Sequence, residues 1–166
     1  MVVFLIGYMS SGKSYLGAIA AQALNVSFYD LDEIIEEKYN KSIKDIFIEN
    51  GEDYFRQIEH ETLVALNIHK DSIIATGGGT PCFHDNMNFM SSKGKIVYLQ
   101  VSINELFNRL KLDKNRPLLQ NDSNNLYTLI DGQLNIREPI YLQSDYLISL
   151  DDRSINKLLN LLKILF

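Results

Sequence analysis

The chain has 166 residues, 46% hydrophobic and 22% charged, with a net charge of −5. That make-up suits one globular domain burying roughly two thirds of its unfolded-chain surface, and it excludes disordered, collagen-like and disulfide-scaffold classes. Sixteen Lys+Arg against 21 Asp+Glu exclude the basic surface that holds duplex DNA by counterion release, so no nucleic-acid partner is expected and any anion site must be local.

Short apolar runs alternate with longer helix-period segments, the signature of βαβ units around a parallel sheet. Val2–Ile6 reads as a buried strand, followed by a glycine-rich turn and a helix from Lys13 to about Leu24 with Leu16, Ile19, Ala20 and Ala23 on one face. Ser27–Tyr29 is the next strand and Leu31–Tyr39 an acidic helix. Ser42 and Asp45 form a capping box opening another helix; Gly51 breaks it, and a further helix runs from about Tyr54 to Ile68. Ser72–Ala75 and Lys95–Val101 are strands, and Ser102 with Glu105 caps a helix over Ile103–Leu112. The polar, aperiodic stretch 113–125 reads as a mobile loop. A helix near Tyr127–Arg137, a strand at Tyr146–Leu150 and an amphipathic terminal helix complete five strands. The N-terminal apolar stretch is too short and wrongly flanked for a secretory signal. No apolar run approaches the roughly 18 residues of a membrane span. Both point to a cytoplasmic protein, as does the single cysteine, Cys82, which reads as a small buried residue.

Gly7-Tyr8-Met9-Ser10-Ser11-Gly12-Lys13-Ser14 matches G-x-x-x-x-G-K-[ST] between a predicted strand and a predicted helix. In such a loop consecutive N–H groups cradle phosphate oxygens and the helix adds the positive end of its dipole. Lys13 supplies a charge to the outer phosphates, and the Ser14 hydroxyl is placed for Mg²⁺. The motif points to nucleoside triphosphate binding without naming the acceptor. A guanine-reading Asn-Lys-x-Asp is absent, and the short chain leaves little room for motor insertions, which favours a small-molecule kinase.

On the acceptor side, Asp30 and Asp32 follow the second strand, and their i,i+2 spacing sends both carboxylates to one side if strand geometry persists. One can then hold a Mg²⁺-bound water and the other accept from an acceptor hydroxyl; alternatively one merely caps the next helix. Arg56 and Glu59, three apart on a helix, read in isolation as an exposed ion pair worth about 0.3–0.5 kcal/mol. Gly77-Gly78-Gly79 directly after a strand opens backbone to close approach. Arg116 and Arg137, if brought together with Arg56, would read a carboxylate or phosphate.

GYMSSGKS, FYDLD, IFIENGEDYFRQIE, ATGGGT, NRPLL and REPIY, in this order from Gly7 to Tyr141, resemble the shikimate kinase family. The resemblance implies a three-layer α/β P-loop kinase fold: a five-stranded parallel sheet in the order 2-3-1-4-5 with helices on both faces. It implies one kinase domain over residues 1–166, with the phosphate loop at 7–14, a substrate-binding segment at about 31–60 and a lid at about 111–125. It implies ATP as co-substrate, one Mg²⁺ per subunit, shikimate as acceptor and a cytoplasmic monomer without membrane or nucleic-acid partners. Ser10, Ser11, Gly12, Lys13, Ser14, Tyr15, Arg109 and Arg116 then match nucleotide positions, Arg109 beside the adenine and Arg116 in the lid. Ser14 and Asp30 match the metal positions, Asp30 through water. Asp32, Arg56, Arg137 and Gly77–Gly79 match shikimate positions; Asp32, Lys13 and Arg116 match catalytic ones. Phe47 and Phe55 match aromatics near the substrate ring, and Glu59 one that orients Arg56. The family commonly has glycine where this chain has Ser10, and a left-handed backbone there would cost about 1–2 kcal/mol. A gluconate kinase is a rival within the class, and a nucleotide-binding regulatory domain that has lost catalysis is a rival outside it.

Overall fold

The computed structural model describes residues 1–68, 70–112, 123–150 and 155–166. Its first strand, β1 (Val2–Ile6), sits at the centre, pairing in parallel with β3 (Ser72–Ala75) and β4 (Lys95–Gln100). Beyond them lie β2 (Ser27–Asp30), against β3, and β5 (Tyr146–Ser149), against β4, giving the expected order β2-β3-β1-β4-β5. The inner strands are near-continuous apolar runs because both sheet faces are covered. Val3, Phe4, Leu5, Ile6, Ile73 and Ile74 are all 0% exposed, each contributing roughly 1.5–3 kcal/mol from burial.

Seven α-helices occur among the described residues. The first, α1 (Lys13–Leu24), leaves the phosphate loop and packs against β2, β3 and the terminal α7 (Ile155–Leu165), whose Leu158 and Leu162 are fully buried. The capping box that opens α3 (Ile43–Ala65) is present: Ser42 Oγ accepts from Asp45 N at 3.1 Å. Gly51, at φ 82° and ψ 176°, kinks this helix where a break was predicted. The second half stops at Ala65 rather than Ile68. Before it, α2 (Leu31–Tyr39) has the expected bounds.

Three further elements differ from the sequence reading. A turn of 3-10 helix (Thr80–Cys82) and the helix α4 (Asn86–Lys93) were not anticipated. The N-cap of α4, Asp85, is left-handed at φ 58° and makes no side-chain cap, and the buried Asn86 interrupts any apolar stripe. After α5 (Ile103–Lys111), the helix α6 (Ser123–Tyr141) is longer than predicted at both ends and begins inside the segment read as loop. A buried stripe of Leu126, Ile130, Leu134 and Tyr141 runs along it. Residues 113–122, including Arg116 and most of the expected lid, lie outside the described residues. No described helix is long and apolar enough to cross a membrane.

Candidate active site

The register pairs Ala75 with both Leu5 and Asp30, so the chain leaves β1, β2 and β3 at one edge of the sheet. This is where ligands bind in open α/β sheets. The phosphate loop, the start of α2 and the triple-glycine turn therefore converge through topology alone.

In the loop, Gly12 is the N-cap of α1 at φ 103°, and Ser10 is left-handed at φ 62°, a conformation that glycine adopts without steric cost. Lys13 is 7% exposed and folds across the loop. Its Nζ donates to the carbonyls of Gly7 at 2.8 Å and Tyr8 at 2.9 Å, with Ser11 Oγ at 3.4 Å. The ammonium is thereby held against the loop backbone by two carbonyls. Ser14 is exposed on the first turn.

A cavity of about 230 Å³ is lined by Ser10, Ser11, Gly12, Tyr15, Leu16 and Arg109. Apart from Leu16, all were expected nucleotide residues. Arg109 does more than line it. Its Nη1 donates to the carbonyls of Ser10 at 3.2 Å and Ser11 at 3.3 Å, its Nη2 to Leu150 O at 3.0 Å, and its Nε to Glu105 at 2.6 Å. One buried guanidinium thus ties the left-handed part of the loop to α5 and the end of β5. Tyr8 supplies a second tie, donating to Gln133 Oε1 of α6 at 2.7 Å.

The same-side placement of Asp30 and Asp32 does not hold, because strand geometry ends at Asp30. Asp30 Oδ1 accepts from the amides of Asp32 at 3.0 Å and Glu33 at 3.3 Å, which starts α2 and puts Asp32 in its first turn. The capping alternative for Asp30 is therefore realised. Asp32 nevertheless reaches the triple-glycine turn: a Cβ on Gly77 would lie 3.0 Å from Asp32 Oδ1.

Nor is the Arg56–Glu59 pair exposed. Arg56 is 7% and Glu59 0% exposed, and Nη1 donates to Glu59 Oε2 at 2.8 Å. Arg56 Nε and Nη2 both donate to Glu52 Oε1, at 3.2 and 3.1 Å. The guanidinium lies 4.6 Å from the ring centroid of Phe83, 5.0 Å from Phe55 and 5.8 Å from Phe47, a desolvated setting where it binds a carboxylate strongly. Phe47 and Phe55 pack on each other at 4.5 Å. The glycines are what let these groups in. A Cβ on Gly77 would lie 2.5 Å from Glu59 Oε1, and one on Gly79 2.5–2.6 Å from the Arg56 guanidinium.

Arg137 stands 5.9 Å from the Tyr8 ring centroid. Burial pushes the Cys82 thiol up, while Arg137 and Arg56 both pull it down. Cys82 is half-buried, more open than expected. Burial also pushes Tyr141 up, with Arg137 opposing, and Tyr141 donates to Gly78 O. Arg116 lies outside the described residues. The sequence reading gave no role to Glu52, Phe83, Thr80, Tyr8 or Gln133, although Tyr8, Glu52 and Thr80 stand inside GYMSSGKS, IFIENGEDYFRQIE and ATGGGT.

The oxygen donors near Asp30 suit a hard cation. Ser14 offers an exposed hydroxyl and Asp30 a carboxylate, the donor types such an ion takes, while the described residues hold no cluster of three or more acidic, His or Cys side chains placed for a metal.

A family model described as "Shikimate kinase" matches residues 9–163. A shikimate kinase of Bacteroides thetaiotaomicron is 43% identical over 152 residues, covering 90% of this chain and 87% of its own length. A crystal structure of shikimate kinase from the same organism superposes with a TM-score of 0.91 at 40% identity, covering 98% of each chain. The Acinetobacter baumannii enzyme, solved in complex with shikimate, superposes with a TM-score of 0.86 at 34% identity, covering 98% of this chain and 93% of that one.

Proposed function

The chain belongs to the shikimate kinase family, and from that premise we propose that it transfers the γ-phosphoryl group of ATP to the 3-hydroxyl of shikimate. The product feeds the route to chorismate and the aromatic amino acids. One observation carries the acceptor assignment: a buried, aromatic-flanked guanidinium, Arg56, seated on Gly79 at the sheet edge that also bears the phosphate loop.

In this reading the loop amides of residues 10–15 and the α1 dipole hold the phosphates of ATP, and Lys13 moves from the Gly7 and Tyr8 carbonyls onto the outer phosphates. Arg56 and Arg137 take the shikimate carboxylate, with Asp32 and the glycine turn against its hydroxyls. The acceptor oxygen attacks the γ-phosphorus, the bond to the β–γ bridging oxygen breaks, ADP leaves, and the hydroxyl proton passes to Asp32. Arg116, from the lid segment, neutralises charge on the transferring group and keeps water out. Ser14, and Asp30 through a water, would hold one Mg²⁺, which supplies charge neutralisation on the phosphates. Catalysis is then mainly positioning plus electrostatics. The acidic chain acts as a cytoplasmic monomer with small-molecule partners only.

An ADP-release assay run with shikimate, with gluconate and with no acceptor tests this. Turnover with shikimate alone is expected. Turnover with gluconate would select the rival kinase, and ADP release independent of acceptor would reject both.

A further inference from the structure

Arg56 does not hold its place by itself. Its partner Glu59 is 0% exposed and has two carboxylate oxygens to satisfy. Oε2 takes Arg56 Nη1 at 2.8 Å, and Oε1 takes the Thr80 hydroxyl at 2.6 Å. Thr80 is also 0% exposed and opens the 3-10 turn after the glycines, its N–H donating to Gly77 O at 3.2 Å. Its carbonyl accepts from Asn86 Nδ2 at 2.8 Å, and Asn86, again 0% exposed, places Oδ1 2.7 Å from His60 Nδ1. His60 follows Glu59 directly on α3, so the chain of contacts closes into a ring joining α3, the 3-10 turn and α4.

We propose that Thr80 is a positioning residue for the acceptor site: its hydroxyl fixes the Glu59 carboxylate, which in turn fixes the Arg56 guanidinium toward the substrate carboxylate. Without the hydroxyl, Glu59 is left with a buried oxygen lacking its donor. The carboxylate then turns to share both oxygens with Arg56 and draws the guanidinium out of line. Asn86 holds the Thr80 backbone so that the hydroxyl has one approach to Glu59. The nucleotide site has no part in this ring, so the effect belongs to shikimate alone.

The inference rests on the reading of Arg56 as the shikimate carboxylate reader, and the experiment separates the two. Steady-state kinetics with shikimate and ATP varied in turn, and thermal melts, are measured for the wild type, Thr80→Val, Thr80→Ala and Thr80→Ser. Thr80→Val and Thr80→Ala should raise the shikimate KM roughly five- to fiftyfold, the range of a weakened charge-assisted hydrogen bond, with kcat and the ATP KM unchanged. Thr80→Ser, which keeps the hydroxyl, should restore the wild-type shikimate KM. Thr80→Ala carries the test if the valine variant does not fold. An unchanged shikimate KM in the folded variants, a parallel rise in the ATP KM, or no rescue by serine would each overturn the proposal. A wild type that does not turn over shikimate would instead overturn the underlying reading.

Discussion

Adding one methyl group at Gly79 separates folding from acceptor binding. Gly79 has φ −90° and ψ −20°, a conformation any residue adopts, so alanine introduces no backbone strain. It should even stabilise slightly, by about 0.4–1 kcal/mol, through the unfolded chain. The added Cβ, however, would lie 2.5 Å from Arg56 Nη2 and 2.6 Å from both Cζ and Nη1, where ordinary contacts begin at 3.4 Å. The guanidinium must retreat by on the order of 1 Å, enough to misalign a hydrogen bond. As the end of a flexible side chain it can do so without unfolding the protein, but Phe83 and Phe55 crowd it and Glu59 holds it. A charge-assisted hydrogen bond to the substrate carboxylate is worth about 1.5–3 kcal/mol, so Gly79→Ala should raise the shikimate KM roughly 10- to 150-fold. The ATP KM should stay near its wild-type value, and any rise in melting temperature should be smaller than the unfolded-chain gain alone would give, because the crowded guanidinium takes up strain. Coupled ADP-release kinetics and a thermal melt measure all three. An unchanged shikimate KM would refute the placement of Arg56 in the acceptor site, and a parallel loss for ATP would refute the division between the two sites.

Three further outcomes follow from local physics. Ser10→Gly removes a left-handed serine worth about 1–2 kcal/mol and gives back about 0.4–1 kcal/mol to the unfolded chain; calorimetry should show a gain of roughly 1–4 °C in Tm. The Thr62 hydroxyl is buried without a hydrogen-bond partner among the described residues, so Thr62→Val should raise stability by about 1 kcal/mol, read from urea midpoints at constant m. Burial opposes ionisation of Asp145, but hydrogen bonds from Lys95 Nζ and the Ile96 amide outweigh it and hold its carboxyl below the ordinary value. A lowered folded-state pKa stabilises above the unfolded value near 3.9 and fades as pH falls through the folded one. Asp145→Asn should therefore lower stability by about 0.5–1 kcal/mol at neutral pH, and melts across pH should show the gap closing below about pH 4.

The strands and the phosphate loop were legible because their signals are local. Val2–Ile6 and Ser72–Ala75 are short contiguous apolar runs, as doubly covered parallel strands must be, and Gly7 to Ser14 carries its chemistry in eight consecutive residues. Sequence order also carried the residues proposed for the acceptor, since Arg56, Glu59 and Gly77–Gly79 belong to an ordered set of motifs. What stayed hidden depends on distance. Arg109 meets the carbonyl of Ser10 from 99 residues away in the sequence, and Thr80 meets Glu59 only because the turn after β3 packs against α3. The pairing of Asp30 with Asp32 misled because a side chain that caps a helix also ends the strand before it. The helix α4 escaped because a buried asparagine, spent on Thr80 and His60, stands where periodicity needs an apolar residue.

If Arg56 orients shikimate against the phosphate loop, one hydroxyl alone receives the phosphoryl group. Phosphorus and proton NMR of the product formed from ATP, Mg²⁺ and shikimate shows which. A single monoester, shikimate 3-phosphate, formed in equal amount with ADP is expected. A mixture of positional esters, or ADP accompanied by free phosphate with shikimate unchanged, would rule out that role for Arg56.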